Sequence, residues 1–145
     1  MVQYRRPESI LVLIYTLRHE ILLLKRIHPF SYWQSVTGSM QKNETKEMAA
    51  PRELKEETGL TDDGVLIDCG LSRSFKIDPR WQHRYHSKDR VNIEHEFHYL
   101  LKGRCEVKLN AKEHSQFKWL SIDQAIQKTW SWTNKEALER LAARL

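Results

Sequence analysis

Glu53, Glu56 and Glu57 stand at i, i+3 and i+4, so a helix would place all three carboxylates on one face. Like charges at that spacing repel one another, and a helix with only a structural role gains by avoiding them. A hard divalent cation relieves the repulsion, because carboxylate oxygen is the ligand that Mg²⁺ and Mn²⁺ prefer. A cation so held would grip a phosphate chain and lower the pKa of a bound water. The alternative is a solvated acidic surface, which is what most charge runs are.

The surroundings of the three carboxylates decide between these readings. Gly38 is followed after five residues by Glu44, and after seven more by Arg52-Glu53-Leu54-Lys55-Glu56-Glu57-Thr58-Gly59-Leu60. This pattern resembles the signature of the Nudix hydrolases at each of its defined positions. The resemblance implies an α/β/α sandwich, an α+β fold with a mixed sheet between helices, and hydrolysis of a diphosphate linked to another group. It further implies that Glu53, Glu56 and Glu57 ligate metal, with Mg²⁺ as cofactor and Mn²⁺ as a substitute. Arg52 and Glu44 would brace loop and helix by pairing, Gly38 would permit a tight turn, and Gly59 would cap the helix in the left-handed conformation.

The elements needed to position these groups are legible around them. Ile10 to Tyr15 is a continuous aliphatic run, as expected for a strand buried on both faces, and Ile21 to Leu24 returns after a polar turn. Lys25-Arg26 would end that strand. Thr45 to Glu57 contains good helix formers, but Pro51 falls inside and removes a backbone donor, so a local kink is expected near it. Val65 to Ile77, Glu94 to Leu101 and Phe117 to Leu120 read as strands. Asp78 to Asn92 reads as a long polar loop, and Ile122 to Lys128 and Asn134 to Leu145 carry helical rhythm. The whole chain, 1–145, reads as one domain.

Composition narrows the context. Of 145 residues, 24 are Lys or Arg and 19 are Asp or Glu, a net charge of +5 that suits phosphate-bearing ligands. Two cysteines, Cys69 and Cys105, are too few for a disulfide framework. The apolar stretch from Ser9 to Leu17 falls well short of the roughly 20 residues that span a bilayer. A cytoplasmic enzyme with a small-molecule triphosphate substrate, and neither nucleic-acid polymer nor membrane as partner, is the expectation. Oligomeric state is not legible.

Segments outside the motif extend the resemblance over nearly the whole chain. Tyr32-Trp33-Gln34-Ser35-Val36-Thr37-Gly38-Ser39, Leu66-Ile67-Asp68-Cys69, Glu113-His114 and Trp130-Ser131-Trp132-Thr133-Asn134 look like the bacterial dihydroneopterin triphosphate diphosphatase subgroup. That subgroup releases pyrophosphate and leaves a monophosphate. The likeness adds Glu113 as a fourth metal ligand or the general base, a role it shares as candidate with Glu56. Trp33 is the candidate ring-stacking residue. Lys25 and Arg26 are candidate phosphate contacts, and Arg84 belongs to a basic loop able to cover a triphosphate. Two rivals remain: a general pyrophosphohydrolase of dATP or damaged nucleotides, and a non-catalytic module that binds nucleotides or RNA.

Overall fold

The computed structural model describes residues 3–145. Its strands are β1 (Glu8–Thr16), β2 (Glu20–Arg26), β3 (Tyr32–Gln34), β4 (Val36–Ser39), β5 (Gly64–Lys76), β6 (Val91–Leu101) and β7 (His114–Ser121). Its helices are α1 (Lys46–Thr58), α2 (Ile122–Lys128) and α3 (Trp132–Ala142).

The apolar run in β1 explains the layering. Side chains alternate across a strand, and here both sets are sealed. Ile10, Val12 and Ile14 pack with Leu22 and Leu24 of β2 against Ala49, Ala50 and Leu54 of α1. Leu11 and Leu13 pack with Ile21 and Leu23 against Ala125 of α2 and Ala137, Leu138 and Leu141 of α3. Each fully buried Leu or Ile contributes roughly 1.5–3 kcal/mol, so β1 and β2 clamp the helical layers together. The result is the sandwich expected from the sequence.

A fork in the sheet makes room for a site. β1 runs parallel to β6 along its whole length. On its other side β1 is shared: Ser9 to Val12 pair antiparallel with β4, whereas β2 meets it near Tyr15. From there β2 diverges to pair with β3 and β7. The order β3-β2-β1-β6-β5 is mixed.

β3 and β4 are the elements that the sequence does not announce. They are three and four residues long, too short to show a period, and Ser35 separates them. That break is tied from the far side of the molecule. Asn134, near the start of α3, accepts from the Ser35 backbone N–H at 2.7 Å and from the Thr129 hydroxyl at 2.8 Å. Its amide donates to the Ser35 hydroxyl at 3.0 Å. Asn134 thus fixes the Trp130–Trp132 segment against the fork.

α1 begins with the Thr45 hydroxyl accepting from the Met48 N–H and ends at Gly59, whose φ of 76° is the left-handed conformation expected there. The helix is continuous across Pro51. Pro51 and Glu47, whose carbonyl loses its helical partner, are both exposed, so water can satisfy that carbonyl. No helix among the described residues is long and apolar enough to cross a membrane.

Replacing Asn134 by Ala strands the buried Ser35 N–H. The expected cost is roughly 2–3 kcal/mol, or about 6–9 °C in Tm, read by thermal unfolding in near-UV circular dichroism. A change below 2 °C would show that the fork does not depend on this tie.

Candidate active site

The three carboxylates of α1 do not share one environment. The Glu56 side chain is 52% exposed, Glu53 12% and Glu57 1%. A shared helix face therefore does not give the three carboxylates a shared exposure. Position 57 falls on the α1 face that carries Leu54 and Thr58, so helix geometry sinks it into the core edge while Glu56 turns outward.

Arg52 organises the entry to this cluster. It makes a bidentate pair with Glu44, at 2.7 and 2.8 Å. It also donates to Glu53 at 2.9 Å, to Glu56 at 3.1 Å and to the Ser39 carbonyl at 3.1 Å. The Glu44 carboxyl is held low by Arg52, and the guanidinium is raised in return. One planar fork thereby ties the β4–α1 loop to the helix. Gly38 sits so close to the Glu53 carboxyl that a Cβ there would collide with it; absence of a side chain, rather than a turn conformation, is the requirement.

Beneath the loop, a second element completes the group. A bulge between Lys25 and Arg26 brings Arg26 opposite His114 at the first position of β7, and the Ile27 N–H donates to the Glu113 carbonyl. Bulges commonly re-aim side chains in this way. Glu57, Glu113 and His114 offer ligand atoms within 4.8 Å of one another. His114 Nε2 lies 3.3 Å and the Arg26 guanidinium 3.9 Å from Glu57 Oε1. Neither Glu57 oxygen has a hydrogen-bond partner among the described residues, nor does either His114 nitrogen.

The electrostatics follow from this burial. Burial first, then the neighbouring Glu53, pushes the Glu57 carboxyl well above its ordinary value. Burial also raises Glu53. His114 is lowered to about 4 by burial and by Arg26, so it is neutral at neutral pH. Buried carboxylates without donors are costly unless paired or metal-bound. The orphaned oxygens of Glu57, with Glu53 and Glu113 beside it, fit a divalent cation. His114 is the member that the sequence reading passes over. Its signal was adjacency to Glu113 at the start of a strand, where the next residue turns inward.

A cavity of about 540 Å³ opens over the fork. Arg26, Arg52, Glu53 and Glu113 line one end, and Tyr32, Trp81 and Trp130 line another part. Tyr32, Trp81 and Trp130 form one aromatic group with Phe30, ring centroids 4.8–6.0 Å apart. Of the expected substrate contacts only Arg26 lies in the wall. Trp33 is corrected: strand alternation turns it to the opposite face, against the α2–α3 core, between Lys118 and Lys128. Lys25, its register partner, is likewise outside the cavity wall. Arg84 is not part of the wall either; burial and its neighbours Arg5 and Arg26 lower its guanidinium. Arg5 does line the cavity, and so adds an unforeseen cation.

With fold and site in view, the class is defined. Residues 5–141 match the NUDIX domain, and the chain belongs to that family. It is 38% identical over 141 residues to the dihydroneopterin triphosphate diphosphatase of Escherichia coli K12, covering 94% of this chain and 93% of that protein. To the Haemophilus influenzae protein of the same name it is 36% identical, over 97% and 90% of the two chains. The solved structure of the E. coli dihydroneopterin triphosphate pyrophosphohydrolase superposes with a TM-score of 0.91 over 100% of both chains. A NUDIX hydrolase structure from Listeria monocytogenes gives 0.80 at 27% identity, over 96% of this chain and 94% of that one.

Glu57→Gln removes a buried charge while keeping its volume. Because the folded pKa of Glu57 is raised, the native state holds its proton more tightly than the unfolded state does. Its contribution is therefore fully present below the unfolded value of about 4.5 and is lost as pH rises through the folded value. In EDTA at neutral pH the variant should melt higher than the parent, by roughly 3–9 °C for about 1–3 kcal/mol. The gap should shrink on acidification. A variant no more stable than the parent at every pH would remove the uncompensated charge from the account.

Proposed function

We propose that this chain hydrolyses dihydroneopterin triphosphate to dihydroneopterin monophosphate and pyrophosphate in the cytoplasm, with Mg²⁺ as its cation. One observation carries the reading. A single cavity joins Glu53 and Glu113, which flank the unpartnered Glu57, to an aromatic chamber, in a chain that shares more than a third of its residues with diphosphatases of that name.

The residues divide the work. Glu57 and Glu53 hold the cation. When bound, it supplies Lewis-acid charge to the phosphates and a water of lowered pKa. Arg26 and Arg5 neutralise phosphate charge from the wall, and Arg26 at 3.9 Å from Glu57 offsets part of the cluster's own charge. Neutral His114 fills the space beneath Glu57 without adding a competing positive charge. Glu113 is part of the cavity wall, where it can accept the proton of the attacking water; Glu56 is turned out toward solvent and bound to Arg52. The general base is therefore Glu113. Tyr32, Trp81 and Trp130 offer flat surfaces for a ring. Free Cys69 and Cys105 suit a reducing compartment, and burial raises both thiols.

A non-catalytic nucleotide-binding module fits this geometry less well. Glu53 and Glu113, facing a polyphosphate from the cavity wall, weaken binding unless a cation stands between them.

Two experiments test the reading. Pyrophosphate and dihydroneopterin monophosphate should be the first products in phosphorus NMR with Mg²⁺ present, and orthophosphate rising without a lag would contradict it. Separately, Trp130→Ala should raise KM roughly 3–10-fold, the equivalent of about 0.5–1.5 kcal/mol of aromatic contact. Trp33→Leu should lower Tm and leave KM unchanged. The reverse pattern would return the ring contact to Trp33.

A further inference from the structure

Among the described residues, one group of metal-ligating side chains lies apart from the carboxylates of α1. The Cys69 thiol, a Glu96 carboxylate oxygen and a His98 ring nitrogen all lie within 4.8 Å of one another. None of the three residues lines the cavity. Glu96 and His98 stand at i and i+2 on β6, so both side chains leave the face that also carries Leu100 toward α2 and α3. Cys69 reaches them from β5 through a break in pairing between Asp68 and Leu71. Gly70, at a φ of 66°, permits that break, and the Asp68 carboxylate accepts the Gly70 N–H at 2.9 Å. A bulge aims a side chain here, as another does at Arg26.

The inner and outer atoms of these side chains have different partners. Arg73 donates to Glu96 Oε1 at 2.6 Å, while Glu96 Oε2 faces His98 Nε2 at 2.7 Å. The other ring nitrogen of His98 meets the Tyr15 hydroxyl at 3.0 Å. That hydroxyl can donate or accept, so it serves either ring tautomer. Histidines and carboxylates that bind metals are held from behind in this way, which orients them and raises their basicity. The inner pair can therefore part while both outer contacts stay. A tetrahedral Zn²⁺ shell sets its sulfur, nitrogen and oxygen ligands roughly 3.4–3.6 Å from one another, so the Glu96–His98 contact has to open by less than an ångström.

We propose that Cys69, Glu96 and His98 form a binding site for a thiophilic divalent cation such as Zn²⁺, separate from the cavity. Thiolate, carboxylate and neutral imidazole carry two negative charges between them, which a divalent ion cancels. Arg73 does not upset this balance, because Glu136 also pairs with it at 3.3 Å. Burial opposes ionisation of Glu96, but His98 and Arg73 outweigh it and hold the carboxyl low. Burial, then Glu96, pushes the Cys69 thiol up to about 11, with Arg144 pulling the other way. The thiol keeps its proton until a metal takes its place, and binding releases that proton to solvent. Cys69 is only partly buried, so its side of the cluster admits the ion and a water as fourth ligand. Softness separates this site from the one at Glu57: thiolate and imidazole suit Zn²⁺, whereas Mg²⁺ takes oxygen. An ion held here would clip β5 to β6 across the bulge.

The test uses Co²⁺, because a thiolate bound to it gives a near-ultraviolet charge-transfer band that oxygen and nitrogen ligands do not. Metal-free protein is titrated in excess Mg²⁺, which competes for carboxylate oxygens but not for sulfur. The band should saturate at one ion per chain. Zn²⁺ should then displace Co²⁺ and bleach it, and Zn²⁺ alone should raise Tm by several degrees. Cys69→Ser should abolish both the band and the rise in Tm, while Cys105→Ser and Glu57→Gln keep them. Tyr15→Phe should weaken Co²⁺ binding roughly 10–100-fold, with the band still present at saturation. Absence of the band in the unmodified protein would overturn the proposal without reference to any variant. So would a band that survives Cys69→Ser, one lost with Cys105→Ser, or saturation at one ion per two chains, which would put the ion between copies.

Discussion

A carboxylate sealed from water with no donor to receive it is the constraint around which this site is arranged. Glu57 is 1% exposed and both its oxygens are unpartnered. An isolated buried charge would be neutralised or expelled in an ordinary core. Here the surroundings prevent expulsion, because α1 is capped at both ends and pinned through Ala49, Ala50 and Leu54 to the β1–β2 layer. Prevention of movement holds the carboxylate where, under the proposed function, it serves as a ligand for the cation. The neighbours are consistent with that. Arg26 is close enough to moderate the charge but too far for a hydrogen bond, and His114 is kept neutral by the same burial. A closer Arg–Glu pair would stabilise the metal-free protein and compete with the metal.

The Arg52 fan solves a different problem. Pairing with β1 sets Gly38 of β4 against the Glu53 carboxyl, but the loop that follows to α1 sends only Met40 into the core. Glu44 is buried, 8% exposed, and its pairing with Arg52 fastens the loop to the helix at two points. The Arg6 guanidinium adds contacts to the Gln41 and Glu44 carbonyls. Polar contacts therefore do in the loop what aliphatic packing does in the sheet, and they do so beside the site, where apolar side chains would exclude a phosphate.

The sequence was informative where chemistry or periodicity was concentrated, and silent where topology decided. The motif carried Glu44, Arg52 and the capped helix, and the apolar run of β1 and β2 implied a two-faced core. The burial of Glu57 is not legible in the spacing, because i, i+3 and i+4 define a face about 100° wide, and its two edges meet solvent and core differently. Trp33 was favoured for its ring and its place before the motif. One residue of strand parity turns it away and turns Tyr32 and Gln34 toward the cavity, and parity in a three-residue strand has no pattern to reveal it. His114 required knowing that a bulge in β2 sets Arg26 opposite it. Trp81 and Trp130 meet Tyr32 from segments about 50 and about 100 residues further along the chain, a convergence no local window contains.

The carboxylate cluster and the polar residues of β6 occupy opposite faces of the same sheet. The carboxylate cluster hangs from α1 and the β2–β7 bulge, while Asn92 and Glu94 stand on the α2–α3 face of β6; the fork between β1, β2 and β4 lets one ligand touch both. The two ends also differ in electrical character. One combines Glu53 and Glu113 with Arg26, Arg52 and Arg5, and the other is mainly aromatic, with Lys76 in its wall and Arg80 stacked on Phe30. Because β6 is held along its length by β1, residues 92 and 94 can change without disturbing α1. The β6 wall of the cavity can therefore vary while the α1 carboxylates keep their places.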